Sequence, residues 1–280
     1  MAATVWDPAQ YLRFGSERLR PALDLLARIP LARPAHVVDL GCGAGNVTAI
    51  LKERWPEAGI LGVDGSEAML ARARETAPGC RFKAADIAGF VPDPPPEIIF
   101  SNAALHWLAD HRRLFPRLVS QLAPGGVLAV QMPAMDQAPF RTLQQEVAEG
   151  GPWGGALSGI GRVRPILDPT EYWDLLRPLA HSVALWETTY LHVLTGPDAV
   201  LQWAMGTSLR PYLAALEEPA RSAFREAYRQ ALRPHYPERP DGTTFLPFRR
   251  LFLLAAVAAG KGAHPRSAAE PAGTAPPIPL

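Results

Sequence analysis

The residues best suited to chemistry form one short segment, Asp39 to Asn46, in which three glycines alternate with other residues. Gly41, Gly43 and Gly45 follow an apolar run, at a point where a buried strand turns into a helix. Glycine lets the backbone come close to a ligand, and a helix N-terminus offers free N–H groups to it. The spacing differs from the dinucleotide pattern G-x-G-x-x-G, because Asn46 stands at the position of the third glycine. No Lys-Ser or Lys-Thr pair follows, which excludes a Walker phosphate loop.

Two further carboxylates stand where the next two predicted strands end. Asp64 closes the second strand, where a carboxylate can accept hydrogen bonds from both ribose hydroxyls of an adenosine ligand. Asp86 ends the third strand, within reach of an adenine amino group. Each feature alone also fits an ordinary strand-to-helix turn, but α/β sheets bind ligands at the carboxyl ends of their strands. The three positions together therefore predict an adenosine-binding site.

These positions need a sheet that brings successive strand ends to one edge. Short apolar runs alternate with amphipathic stretches five times over about 100 residues, which predicts an α/β fold with a parallel sheet and helices on both faces. The predicted strands span residues 36–40, 59–63, 80–84, 97–101 and 127–132, and the predicted helices span 46–54, 66–75 and 111–122.

The regular alternation of strand and helix patterns ends after Pro133. The rest of the chain predicts helices over 140–149 and 168–179, strands over 181–194 and 248–257, and helical structure over 195–245. A helix over 8–29, which Pro21 either kinks or splits in two, precedes the sheet. We therefore predict an N-terminal helical segment over the active site (1–30), a ligand-binding core (31–133, 166–194 and 246–258), cap or lid insertions (134–165 and 195–245) and a disordered tail (259–280).

The composition narrows the class of protein. The 280 residues carry 28 basic and 27 acidic side chains, a net charge of +1, whereas a broad binder of nucleic acid or of anionic membrane needs a basic field. Cys42 and Cys80 provide neither a disulfide framework nor a metal site. The longest apolar run, 251–259, is shorter than a membrane span, and no signal-peptide pattern opens the chain. We expect a cytoplasmic monomer or weak homodimer.

Four segments carry a resemblance to a known family. DLGCGAGN, GVDGS, AADI and SNAALHWL resemble the cofactor motifs of class I S-adenosylmethionine-dependent methyltransferases. WDPAQYLRFGSERLRPALDLLARIP, TSLRPYL and FRRLFLLA, with the stretch around SNAALHWL, are similar to the trans-aconitate 2-methyltransferase family, over residues 6–257. The resemblance implies a Rossmann-like seven-stranded methyltransferase sheet with an added helical cap. It also implies S-adenosyl-L-methionine as cofactor and methylation of one carboxylate of a tricarboxylic acid, which gives a monomethyl ester.

The resemblance also assigns cofactor-binding residues, which fall on the motifs above. It implies that the methionine moiety lies against the glycine turn and that the ribose is held at the end of the second strand. It also implies that Met69, Asp86 and Ile87 contact the adenine, and that the Asn102 backbone lies on the sulfonium side. Ala44 and Gly65 depart mildly from the usual pattern, which has proline and serine there. The implied residues are Asp39, Gly41, Cys42, Gly43, Asn46, Asp64, Gly65, Met69, Asp86, Ile87 and Asn102.

The acceptor chemistry predicts a second set of residues. A carboxylate is ionised at neutral pH and needs no general base, so the protein has to align it, desolvate it and neutralise the two carboxylates that do not react. Bidentate arginines suit that task, and the chain carries 28 basic residues, of which only three are lysines. Several candidates also fit simple packing in a core or cap. The candidates are Tyr11, Arg18, His106, Trp107, Tyr190, Trp203, Arg210, Tyr212 and Arg250.

Two other functions remain open at the level of sequence. The chain fits a methyltransferase for another small acceptor, a phenol, an amine or another acid, with His106 as general base. It also fits a non-catalytic module that binds the cofactor. A nucleic-acid methyltransferase is disfavoured by the net charge of +1 and because SNAALHW lacks the Asn-Pro-Pro-aromatic element that grips a flipped base.

Overall fold

The strands predicted from the alternating pattern form one sheet. The computed structural model describes residues 19–161 and 166–260. Its first five strands run parallel: β1 (His36–Leu40), β2 (Gly59–Asp64), β3 (Arg81–Ala84), β4 (Ile98–Asn102) and β5 (Val127–Pro133). Their carboxyl ends therefore lie along one edge of the sheet.

Two long strands complete the sheet. β6 (Ser182–Thr195) and β7 (Thr243–Ala256) give the strand order β3-β2-β1-β4-β5-β7-β6, in which β7 runs antiparallel to both neighbours. The seven-stranded fold predicted from the sequence is confirmed.

Helices cover both faces of this sheet. They are α1 (Arg20–Leu26), α2 (Asn46–Arg54), α3 (Glu67–Thr76), α4 (His111–Ser120), α5 (Pro139–Gly150), α6 (Gly154–Leu157), α7 (Pro169–Leu176), α8 (Ala199–Met205), α9 (Arg210–Ala214) and α10 (Ala220–Leu232). A single 3-10 turn, Leu105–Trp107, follows β4. One apolar cluster joins α1 and α2 to the face that carries Phe100, and another joins α4 and α7 to the face that carries Val130.

The prediction for the start of β7 was wrong. The sequence pattern predicts cap helices up to residue 245 and a strand from 248, but the strand begins at Thr243 and pairs with β6 from Thr195 opposite Thr243 onward. Leu246 and Phe248 are buried while Phe245 and Pro247 are exposed, which is the alternation of a strand. Together β6 and β7 extend as a two-stranded arm beyond the end of β5.

The arm packs against helices rather than against other strands. A third apolar cluster gathers α5, α6, α8, α9 and α10 around Phe224 and Tyr228, and reaches the arm through Leu246 and Phe248. The first helix of this layer, α5, follows the end of β5 at Pro133, and the arm that the layer contacts extends past the same end. The layer therefore lies beside the edge where the carboxyl ends of the parallel strands meet.

Some predictions fall outside the described residues. The predicted helix over 8–29 is described only from residue 19, and there α1 begins at Arg20 with Pro21 in its first turn. Tyr11 and Arg18, residues 162–165 and the predicted tail beyond residue 260 lie outside the described part. Within the described ranges, no helix is both long and apolar enough to cross a membrane.

Candidate active site

The turn after β1 has a shape that requires glycine. Gly41, Gly43 and Gly45 have φ values of 75°, 54° and 81°, a region that disfavours side chains. A Cβ on Gly41 would overlap the Cβ of Ala104, which follows β4. The N–H groups of Gly41 and Cys42 both donate to the carbonyl of Val63, at 2.8 and 3.1 Å, which ties the turn to β2.

Gly43 is the open point of this turn. A Cβ placed there would meet no atom of the described residues within 4 Å, so among these residues the backbone faces free space. Its N–H donates to Asp64 Oδ2 at 2.9 Å, and the N–H of Ser66 donates to Asp64 Oδ1 at 2.9 Å. Two backbone donors thus fix the carboxylate of Asp64 beside the open glycine, where the resemblance placed the ribose.

Asp39 lies beneath the turn. It is only 1% exposed, and Thr48 Oγ1 donates to its Oδ2 at 2.6 Å. Burial raises its pKa to about 7, although the Thr48 hydrogen bond opposes the shift and the charge of Asp64 adds to it. In the described structure Asp39 braces α2 against the end of β1.

The residues assigned to the adenine surround the turn from the side of β2 and β3. Met69 is exposed on α3, whose first turn is capped by Ser66. Asp86 is exposed and its Oδ1 accepts from the N–H of Ala88 at 2.9 Å. Ile87 approaches the Gly41 position. Asn46 and Gly65 are exposed, whereas Cys42 is buried.

A second set of polar side chains lines the same edge farther along, over β4, β5 and β7. Asn102 on β4 lies opposite Gln131 on β5, and Gln131 lies opposite Phe252 on β7. Arg250 is two residues before Phe252, so its side chain lies on the same face of the sheet as those of Asn102 and Gln131. At this edge, four buried side-chain atoms have no hydrogen-bond partner within the described residues. They are Asn102 Oδ1, His106 Nδ1, Gln131 Nε2 and Arg250 Nε. We call Asn102, His106, Gln131, Arg141 and Arg250 the edge cluster.

The edge cluster is cationic. Arg250 is 7% exposed and lies 4.4 Å from the ring centre of Phe248, and burial lowers its pKa to about 10. Burial likewise lowers the pKa of Arg141 on α5. Burial and then the charges of Arg250 and Arg141 lower the pKa of His106 to about 4, so this imidazole is neutral at pH 7. Within residues 19–161 and 166–260, neither guanidinium forms an ion pair with a carboxylate.

Two members of the edge cluster were missed in the sequence. Gln131 interrupts the apolar strand VLAVQMP, and a polar residue in a strand buried on both faces was a usable signal. Arg141 carried no such signal, because an arginine in a helix usually faces water. Only the packing of α5 brings it to this edge.

The other acceptor candidates differ in their surroundings. The Tyr190 hydroxyl donates to Asp24 Oδ2 at 2.5 Å, with Arg20 over its ring. Trp107 is 75% exposed, and its ring centre lies 4.7 Å from that of His106.

The remaining three candidates lie in the helical layer. Trp203 packs between Phe140 and Phe248, and Tyr212 stacks on Phe224 within the third apolar cluster. Arg210 is exposed at the first residue of α9, and no contact between described residues joins it to the edge cluster.

A cavity of about 580 Å³ lies elsewhere. Thr189, Pro247 and Arg249 line it, together with Met135 and Tyr236. These β6 and β7 residues alternate with Tyr190 and Arg250, so their side chains point to the opposite face of the arm. The cavity is therefore separate from the edge cluster.

The arrangement defines a class of protein. Five parallel strands followed by a reversed seventh strand, a glycine turn after β1 and a fixed carboxylate at the end of β2 form a class I S-adenosylmethionine-dependent methyltransferase. Residues 37–126 match the family model described as "Methyltransferase domain". They contain the whole cofactor edge from β1 to β4.

Curated relatives define the family within this class. A trans-aconitate 2-methyltransferase of Methylobacterium nodulans is 49% identical, with 89% of this chain and 97% of that protein covered. A trans-aconitate 2-methyltransferase of Azoarcus sp. (strain BH72) is 46% identical, with 89% and 98% covered. The chain belongs to the trans-aconitate 2-methyltransferase family.

Solved structures share the fold. The YcgJ protein from Bacillus subtilis has a TM-score of 0.56 and 14% identity, with 85% of this chain and 98% of that chain covered. A phosphoethanolamine N-methyltransferase 2 of Haemonchus contortus, in complex with phosphomonomethylethanolamine and S-adenosylhomocysteine, has a TM-score of 0.50 and 16% identity, with 85% and 52% covered. At this identity the likeness concerns the fold alone.

Proposed function

We propose that this protein transfers a methyl group from S-adenosyl-L-methionine to one carboxylate of trans-aconitate, giving the monomethyl ester and S-adenosylhomocysteine. The observation that carries the proposal is a pair of arginines, the buried Arg250 and the half-buried Arg141, which have no carboxylate partner among the described residues. A buried cation without a counter-ion is costly, so the site favours an anionic ligand. The names of the 46–49% identical relatives support the same substrate.

The residues at the glycine turn fit the cofactor. Gly43 leaves open space where any other residue would place a Cβ, and Asp64 beside it is held with both oxygens oriented by backbone donors. Asn102, at the end of β4, contributes a buried oxygen that lacks a hydrogen-bond partner in the described part of the chain. When bound, S-adenosyl-L-methionine supplies an activated methyl group. We therefore keep the predicted cofactor residues, Asp39, Gly41, Cys42, Gly43, Asn46, Asp64, Gly65, Met69, Asp86, Ile87 and Asn102, as the proposed contacts.

The edge cluster has to bind and orient the acceptor. A guanidinium can hold a carboxylate through two parallel N–H···O bonds, which sets its position as well as its charge. Arg250 and Arg141 would each neutralise one carboxylate that does not react, leaving the third free to approach the methyl group. Burial of these side chains keeps water away from the reacting oxygen, which raises its nucleophilicity. The reaction then needs no proton transfer, because the acceptor oxygen is already ionised.

The direct test of this function is turnover. Purified protein is incubated with labelled cofactor and one acceptor at a time: trans-aconitate, cis-aconitate, citrate, a phenol or a primary amine. Mass spectrometry detects each product by the added mass of one methyl group. We expect methylated product from trans-aconitate and none from the amine, whose positive charge opposes the two arginines. No product from any acid would overturn the proposal and favour a non-catalytic cofactor-binding module.

The His106→Gln variant tests whether a general base takes part. Because the pKa of His106 is lowered to about 4, it is neutral between pH 6 and 9 and too weakly basic to accept a proton efficiently. We expect kcat to fall by less than ~10-fold, with a ratio of wild-type to variant kcat that stays constant over this pH range. Loss of a general base costs ~10²–10⁴-fold. A loss of that size, or a ratio that follows a histidine titration near pH 6.5, would instead support an acceptor that must be deprotonated.

The division into core and cap also remains a proposal. The third apolar cluster, which joins α5 and α6 to α8–α10, supports a cap formed from 134–165 and the helical part of 195–245. We further propose a small tricarboxylate as the only partner besides the cofactor, without nucleic acid or membrane, and a cytoplasmic monomer or weak homodimer. The net charge of +1 supports the absence of polyanionic partners.

A further inference from the structure

Gln131 is a fully buried polar side chain inside an apolar strand. It is 0% exposed, and its neighbours along β5, Val130 and Met132, are equally buried. An amide in such a place is unfavourable unless its donors and its acceptor are hydrogen-bonded. Its presence calls for a partner that the described residues do not supply.

The orientation of the amide follows from its surroundings. Gln131 Oε1 faces Arg250 Nη1 at 3.5 Å, a long contact in which only the oxygen can accept. Gln131 Nε2 is consequently turned away from the guanidinium, and it has no hydrogen-bond partner among residues 19–161 and 166–260. Within this part of the chain, the side chain thus presents a buried, unused donor beside a buried guanidinium whose Nε is also unused.

We propose that Gln131 is a specificity-determining residue of the acceptor site, which orients Arg250 through its Oε1 and donates from its Nε2 to a carboxylate of the bound acid. This inference rests on the proposed function, because it assumes a carboxylate acceptor in the edge cluster. The two donors, Gln131 Nε2 and Arg250 Nε, reach the same edge of the sheet from neighbouring strands. A carboxylate there satisfies both, whereas an ammonium group satisfies neither.

The choice of amide over carboxylate is part of the inference. A glutamate at 131 would have the same size, but it would form an ion pair with Arg250 and supply internally the negative charge that the substrate should bring. A glutamine holds the guanidinium in place without neutralising it. The site therefore stays cationic until the acid enters.

The test is the Gln131→Glu variant, measured for acceptor KM, cofactor affinity and thermal stability. We expect the KM for trans-aconitate to rise at least ~30-fold, with the Kd for S-adenosylhomocysteine within about threefold of wild type. We also expect Tm to rise, because the buried guanidinium gains a counter-ion. Stability and substrate binding should thus move in opposite directions, which a merely structural role would not produce.

Two further variants keep the test decisive. Gln131→Met removes the donor without adding charge, so KM should rise ~10-fold while Tm is unchanged or higher. Gln137→Glu makes the same chemical change at an exposed site six residues away, and should alter neither quantity. An unchanged KM in both Gln131 variants, with a wild type that methylates trans-aconitate, would overturn this role alone. A wild type that methylates no acid would overturn the proposed function and this role with it.

Discussion

The Arg250→Gln variant should have a kcat/KM for trans-aconitate at least ~100-fold below wild type, while the cofactor Kd stays within about threefold. Arg250 is the most buried cation of the edge cluster, and a charged hydrogen bond in a desolvated site is worth ~2–5 kcal/mol when one partner is removed. A factor of ten corresponds to about 1.4 kcal/mol, so a loss of 100-fold lies within that range. Initial rates at varied trans-aconitate, with calorimetric titration of S-adenosylhomocysteine, measure both quantities.

The neighbouring residue provides the matched control. Arg249 carries the same side chain on the same strand but points to the opposite face, where its Nε donates to the carbonyl of Ala134 at 3.1 Å. Arg249→Gln should retain kcat/KM within about threefold. Tm should not fall in Arg250→Gln, because the substitution removes a buried charge that has no carboxylate partner among the described residues. Equal losses of activity in the two variants would contradict the role given to Arg250.

Asp64→Ala should raise the cofactor Kd at least ~100-fold. The carboxylate accepts from the N–H groups of Gly43 and Ser66, at 2.9 Å each, and stands where the ribose hydroxyls are proposed to bind. Removal releases both donors and the ribose contact, and hydrogen bonds to a charged group contribute ~1.5–3 kcal/mol each. Calorimetric titration of S-adenosylhomocysteine, at several protein concentrations, measures the change.

Asp174→Ala is the control for this effect. Asp174 is an exposed aspartate on α7, which covers the other face of the sheet, and its removal should leave the cofactor Kd unchanged. Circular dichroism of both variants separates local loss of binding from loss of the fold. A folded Asp64→Ala protein with wild-type affinity would show that the ribose is held elsewhere.

Local signals made the parallel half of the sheet predictable. The runs around Val38, Ile60 and Ile99 are apolar on both faces, because helices cover both sides of a parallel sheet. Each run ends in a residue that breaks or caps structure, so strand ends and the polar residues at them could be placed from spacing alone. That is why the sequence alone indicates the glycine turn at Gly41 and the carboxylate of Asp64.

The start of β7 was harder to predict for a physical reason. Pro247 cannot donate to a strand ladder, and the stretch before it contains Pro240 and Gly242, which usually mark loops. The strand forms because β6 offers a partner fourteen residues long, and Leu246 and Phe248 bury themselves under the helical layer. Such pairing is a tertiary effect, and it overrides the local preference.

For the acceptor site, too, the sequence indicates part of the answer and the packing decides the rest. The sequence indicated arginines as a type, but it could not say which of the many arginines lose contact with water. The fold buries Arg250, leaves Arg141 half-buried and leaves Arg210 exposed, and these differences depend on the packing of β7 and of the helices. The place of Gln131 in the edge cluster depends on its cross-strand neighbours on β4 and β7, which local sequence does not specify.

By itself, the sequence determined the class of sheet, the glycine turn and the carboxylates at the strand ends, because each of these is encoded within a few consecutive residues. Tertiary structure alone decided the composition of the edge cluster, which draws on β4 and the 3-10 turn after it, on β5, on α5 and on β7, from residue 102 to residue 250. The burial of a charge depends on everything packed around it, so no local pattern can specify it. For that reason the cofactor edge follows from spacing, whereas the acceptor site follows from packing.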